Sequence, residues 1–287
     1  MGRRASGQVE LPGRGHASLR SVLRLLDAST GSYAEVRSAR RGLLRVCAHV
    51  AEAEGGSDVT GLRVLLLADL LTRTAELRNL QVLTAVAADD CSSAQLAALE
   101  RAADAVGVHP PAARLSSGDA QAALGGPIDV YLAGDAADVV DRGSGLVTRV
   151  GAAYLHRAGD RGEPADDLLA GYEDEPLAVR LALMSVPYHQ PADLTEGALA
   201  DARATVGCWR LRVARWAESP SRPVPAQLAE TTRSAFDDFD TVSALGLLRG
   251  LADDDGVPAG ARFEAFLYAD RILGLDLPRD IGRISDL

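Results

Sequence analysis

The chain has 287 residues, 47% of them hydrophobic and 24% charged, and 40 acidic against 30 basic side chains leave a formal charge of -10. An isoelectric point near 5.0 argues against a dedicated nucleic-acid binder, whose phosphate-tracking surface would be basic. All 30 basic residues are arginine, so chemistry that needs an ε-amine is excluded: a phosphate-loop lysine, a Schiff base, a lysine general base.

No apolar run approaches the roughly 20 residues of a membrane span, and Met1-Gly2-Arg3-Arg4 leads into no hydrophobic segment, so the expectation is a cytoplasmic protein without membrane contact. Residues 1–18, Gly- and Arg-rich, read as a lead-in. The apolar run Leu43 to Cys47 predicts a strand; Val59, Leu62, Leu66 and Leu70 then recur at helical spacing up to about Arg78. A second strand is expected over Leu80 to Val86, and a helix capped by Ser92 or Ser93 runs toward Val106, before Pro110 and Pro111. Ile128 to Leu132 and Leu146 to Val150 are further strand candidates. Strands alternating with helices predict a parallel sheet covered by helices, a Rossmann-like α/β domain over 19–158.

Residues 159–174 read as a linker, and 175–287 as an all-helical bundle. Glu175-Pro176 opens a helix carrying Leu177, Leu181 and Met184 on one face. In the next helix Leu199, Ala202, Val206, Trp209, Val213 and Trp216 step by 3 and 4, a seam for neighbouring helices. Prolines 220, 223 and 225 interrupt it, further helices are expected over 226–236, 241–251 and 259–273, and Gly274 and Pro278 end the last.

The run Pro176 to Ser185, followed by Tyr188, Pro191, Asp193-Leu194-Thr195 and Leu199, resembles the bundle that follows the catalytic domain in cysteinyl-tRNA synthetases and in the cysteine ligase of mycothiol biosynthesis. Phe236-Asp237-Asp238-Phe239-Asp240-Thr241 with Ala244-Leu245 is similar to a second bundle segment of that group. In the first half, Pro12 to Gly15, Leu23 to Leu26, Val46-Cys47-Ala48 and Thr84 to Asp90 are placed like family segments. The resemblance implies a class I synthetase-like fold, a truncated and degenerate copy of it. It also implies ATP, a zinc ion that holds a cysteine thiol, and tRNA or a cysteine-derived metabolite as ligand classes.

The departures concern the chemistry. The family's His-x-Gly-His motif is replaced by Gly55-Gly56-Ser57-Asp58-Val59-Thr60, and its Lys-Met-Ser-Lys-Ser loop has no counterpart in a lysine-free chain. Asp58 at a helix start is expected to neutralise the helix dipole that would otherwise attract a triphosphate. Cys47 corresponds to a first zinc ligand, but no His-His-x-x-Glu follows Ile128-Asp129-Val130, so neither zinc nor ATP is expected as a cofactor. Cys47 reads either as a substrate-side thiol or as a buried one; Asp89 and Asp90 either touch a ligand at the sheet crevice or cap a helix. Arg203, Arg210 and Arg212 form either a tRNA-facing stripe or a solvated helix face. No catalytic residue is expected. The expected function is that of a non-catalytic synthetase-like paralogue that binds tRNA, a synthetase-like subunit or a cysteine-derived metabolite. The alternative is an atypical ATP-dependent ligase with arginines as phosphate clamps.

Overall fold

The computed structural model describes residues 22–51, 55, 57–88, 91–115, 119–134, 145–156 and 168–283. The chain opens with an antiparallel hairpin, β1 (Arg24–Asp27) and β2 (Ser32–Glu35). An α/β unit follows: β3 (Leu43–His49), α1 (Thr60–Glu76), β4 (Gln81–Ala87), α2 (Ser93–Ala105), β5 (Ala113–Leu115), the short α3 (Ala120–Ala123), β6 (Val130–Gly134) and β7 (Leu146–Val150). The five strands β3 to β7 pair in parallel in the order β5-β4-β3-β6-β7. With β3 first, the chain builds outward to β5, returns, and continues from β6 to β7. This is the doubly wound order, with its topological switch between β3 and β6.

Then come β8 (Ala153–Leu155), α4 (Pro176–Met184), β9 (Ala192–Leu194), α5 (Glu196–Trp216), α6 (Ala226–Asp237), α7 (Thr241–Asp253), α8 (Ala259–Leu273) and a closing 3-10 turn at Leu277–Asp280. The protein is therefore α/β, a Rossmann-like parallel sheet followed by a helical bundle. The expected strands and helices are present with ends displaced by a few residues, and Ser92 forms a full capping box with Gln95. The hairpin, β5 and the parallel pair β8–β9 have no counterpart in the sequence reading; each is four residues or fewer per strand, too short for a periodic signal. The pair β8–β9 corrects the reading of the second half as helical throughout, because Ala192 donates to Ala152 O at 2.8 Å and lays 192–194 beside the end of the α/β unit. The expected lead-in over 1–18 lies outside the described residues, as do residues 159–167 of the expected linker.

The central element is α1, which buries twelve residues, Arg63 and Asp69 among them. A helix apolar on nearly every side must be covered on every side. One face of α1 lies on β3, β4 and β6, and another meets the bundle through α8. One hydrophobic cluster accordingly runs from Leu23 through α1 to Leu277. In the bundle, Trp209 and Trp216 from the stepped seam of α5 meet Phe266 edge-on at 5.4 and 5.1 Å. Each indole is worth about 3 to 5 kcal/mol against alanine.

Two buried charges on α1 reach out of the α/β unit. The guanidinium of Arg63 donates to the carbonyls of Val186 and Pro187 at 3.1 and 2.8 Å, to Gly151 O at 3.0 Å and to Gln190 O. Asp69, with no exposed side-chain surface, accepts from Arg180 Nη2 at 2.5 Å, Arg73 Nε at 2.7 Å and His109 Nδ1 at 2.6 Å. Arg180, equally enclosed on α4, also donates to Leu273 O at 2.5 Å and Val106 O at 3.0 Å, so one side chain joins α1, the end of α2, α4 and the end of α8. Gly274 makes this possible: it ends α8 at φ +62°, and a Cβ there would stand 3.0 Å from both Arg180 Nη2 and Arg73 Cζ.

Replacing Arg180 by Ala strands Asp69 and two carbonyls, and is expected to cost about 3 to 5 kcal/mol in urea unfolding. Lysine, a single ammonium in place of a fork, is expected not to restore it. Burial by itself would raise the Asp69 pKa, but the hydrogen bond from His109 and the nearby Arg180 and Arg73 prevail and hold it well below the carboxylate range. A depressed folded pKa means the stabilisation is complete above the unfolded value of about 3.9 and is lost as the pH falls from there toward the folded value. The half-buried Asp270, pushed upward by desolvation, has the opposite sign and favours the fold as acid is added. Asp69→Asn is therefore expected to be less stable at neutral pH and to show a flatter loss of unfolding free energy between about pH 5 and pH 2.

Candidate functional site

In a doubly wound sheet the place for a ligand is the crevice beyond the carboxyl ends of the strands at the switch point. Here that place lies between His49, the end of β3, and Gly134, the end of β6, at the start of α1. The residues there are turned inward. Asp58 Oδ1 accepts the N–H of Thr60 at 2.8 Å, so the first free donor of α1 is taken by the chain's own carboxylate. The Thr60 hydroxyl accepts from Ala153 N at 3.0 Å, and Val59 N donates to Ala153 O at 2.9 Å, tying the helix start to β8. A Cβ on Gly61 would meet Leu99 at 3.2 Å and Val50 at 3.7 Å, so that side of the first turn is packed. At Gly134 a Cβ would stand 2.9 Å from Thr60 Cγ2, and Gly134 O accepts from Arg149 Nη1 at 3.2 Å.

This geometry does not fit the triphosphate handling that the family resemblance implies. A helix start binds anions through exposed N–H groups and the positive end of its dipole. At α1 the Asp58 carboxylate accepts the first N–H, so that donor is taken and a negative group stands beside the helix start.

Cys47 is fully buried on β3, in register with Ala85 and Tyr131, within a small apolar cluster that includes Leu124 and Ile128. Its neighbours supply methyl and ring carbons where zinc needs nitrogen, sulfur or oxygen. Among the described residues no three His, Cys, Asp or Glu side chains come together. The surroundings of Cys47 therefore do not fit a zinc site. Asp89 and Asp90 lie outside the described residues, between the end of β4 and the cap of α2.

The three arginines of α5 do not share one setting. Arg210 is buried, 3% exposed, and donates to Glu175 Oε2 at 2.5 Å, Leu275 O at 2.9 Å and Asp276 O at 3.1 Å. A guanidinium so enclosed faces the closing turn of the bundle, not solvent, which departs from the surface stripe expected of it. Arg212 pairs with Asp253 at 2.7 Å, and Arg203 lies 3.8 Å from Asp174.

The family-like segments act as fasteners. Tyr188 OH accepts the Leu26 N–H at 2.8 Å and holds the hairpin, and burial pushes its pKa up. Asp238 takes Arg24 in two bonds of 2.6 Å, Asp237 pairs with Arg78 of the turn after α1, Asp240 caps α7 through Ser243 N at 2.9 Å, and Thr241 Oγ1 donates to Met184 O at 2.6 Å. The sequence reading did not single out Arg63, Asp69 or Arg180. A signal was available: each is a lone charge inside an apolar run, Leu62 to Leu67, Leu67 to Leu71 and Leu177 to Met184. Such a charge is buried with its partner or not tolerated.

No protein-family model matches the chain. Over 107 residues it is 35% identical to the L-cysteine:1D-myo-inositol 2-amino-2-deoxy-alpha-D-glucopyranoside ligase of Thermobispora bispora, covering 37% of this chain and 26% of that one. The match thus spans about a quarter of that relative's length. Among solved structures, a protein assigned as an arginyl tRNA synthetase from Campylobacter jejuni is similar, with a TM-score of 0.48 and 8% identity over 84% of this chain and 90% of the other.

Thiol labelling checks the placement of Cys47. In the native protein the exposed Cys208 is expected to react at once with an aromatic disulfide reagent, and Cys47 only at the rate of unfolding. Fast native labelling of Cys47 would show it open to a ligand. What the comparisons show is a likeness over 107 residues to a cysteine ligase, a part of this chain and a part of that one.

Proposed function

We propose that the protein is a non-catalytic member of the cysteine-ligating synthetase-like group, retaining the scaffold to bind a ligand or partner without forming an adenylate. The observation that carries this reading is the Asp58 carboxylate on the Thr60 N–H, which places negative charge where the transferring phosphates would need positive. The absence of lysine throughout the chain supports it, since no ammonium loop can stabilise the leaving pyrophosphate. So does the work of the family-like residues: Tyr188, Asp237, Asp238, Asp240 and Thr241 hold segments together.

The ligand classes that follow from the kinship are a cysteine-derived metabolite, a tRNA or a synthetase-like subunit. A metabolite suits the acidic chain better than RNA, because Arg203, Arg210 and Arg212 are each turned toward a carboxylate of the protein itself. The deciding measurement is release of pyrophosphate from ATP in the presence of cysteine and magnesium, with calorimetric titration of ATP alongside. The expected outcome is no cysteine-dependent pyrophosphate and no saturable ATP heat. Turnover that depends on cysteine would overturn the reading and establish an atypical ligase.

A further inference from the structure

Toward the β5 edge of the sheet, away from the switch crevice, α1 and α2 part and leave a cavity of about 500 Å³ floored by β4 and β5. We propose that this cavity is a binding site for a small amphipathic cation, an ammonium group carried on a compact apolar body. This rests on a different part of the molecule from the reading of the α1 start and stands or falls without it.

The size is that of a small-molecule site, and so is the make-up, an apolar chamber with a few convergent polar groups. Leu65, Val82, Val86, Leu96, Ala103 and Val108 provide the walls. Polar groups gather at the mouth because both helices run against the strands and end there. Glu76 lies in the last turn of α1 and Asp104 in the last turn of α2, both exposed and lining the cavity. Neither has an ion-pair partner among the described residues. A carboxylate at a helix C-terminus faces the negative end of the dipole, so these two positions are unfavourable until a cation meets them.

The remaining charges at the mouth are already matched. Arg114 of β5 is paired with Glu100 of α2. Asp69 is satisfied by Arg73 and Arg180. No basic side chain is left to receive an anion there.

His109 orients the ligand head. Asp69, held ionised, can only accept, so the proton on the His109 ring sits on Nδ1, 2.6 Å from Asp69 Oδ1, and His109 N donates to the same oxygen at 3.1 Å. The ring is thereby fixed at two points, with Nε2 as its other nitrogen. In the neutral ring that nitrogen is the acceptor, and His109 lines the cavity where it can meet the N–H of a bound ammonium. The buried Asp69–Arg180 joint thus also anchors the ring of a residue at the mouth of a ligand-sized chamber.

The test uses the full chain and three probes of one shape: 2-phenylethylamine, 2-phenylethanol and 3-phenylpropanoate. The ring resonances of the five histidines are followed by nitrogen-edited NMR. Saturable shifts of the His109 ring are expected with the amine, at an affinity at least about tenfold above that of the propanoate, a difference of about 1.4 kcal/mol. Glu76→Gln, an exposed substitution that leaves the core untouched, is expected to weaken the amine about two- to fivefold. An unmoved His109 ring at millimolar amine overturns the site. Equal affinity for the amine and either of the other probes overturns the choice of a cation.

Discussion

A carboxylate with no exposed surface holds this protein together. Asp69 stands on the helix that the sheet and the bundle share, and it is held ionised by the hydrogen bond from His109, by Arg180 from the bundle and by Arg73 from the next turn of the same helix. Such a pair is poor at stabilising a fold against an apolar replacement, since both ions lose their hydration, but it is exacting about geometry. The guanidinium that meets Asp69 must also reach the last carbonyls of α2 and α8, and it does so only where Gly274 leaves room. With Arg63 gripping the turn around Pro187 from the other end of α1, the sheet and the bundle meet in one arrangement.

This joint draws on the segments that resemble the cysteine-ligase group. Arg180 lies inside the segment that resembles the ligase bundle, and Tyr188, Asp238 and Thr241 extend the same fastening to the hairpin and to α4. The residues that would handle a triphosphate follow a different logic. Under the proposed reading they would stand at the start of α1, and there Asp58 accepts the Thr60 N–H. A carboxylate and a phosphate compete for the same N–H, and at Thr60 the carboxylate of Asp58 holds it.

The alternation of strands and helices was legible because the longer elements repeat over enough residues: α1 and α5 have 17 and 21, and β3 and β4 have 7 each. The three-residue strands β5, β8 and β9 were not, since a period of two cannot show itself in three positions, and their pairing comes from neighbours distant in the chain. Of the candidate site residues, Cys47 is placed by its strand, and its burial follows from facing Ala85 and Tyr131. Arg210 shows where reading one helix face fails. It lies beside Trp209, but the closing turn after α8 folds back over it and supplies Leu275 O and Asp276 O.

The amino-acid sequence carries the order of elements, the partial likeness to a cysteine ligase and the exclusion of lysine chemistry. Each is a property of residue type and local spacing. Which charges are buried, which end of α1 is closed and where a chamber opens between α1 and α2 were decided only by the tertiary structure. Asp69, Arg180 and His109 are separated by 40 to 111 positions, and only packing brings their atoms within hydrogen-bonding distance. A buried ion's partner is chosen by the fold's need to offset desolvation, and that need exists only once the core has formed around it.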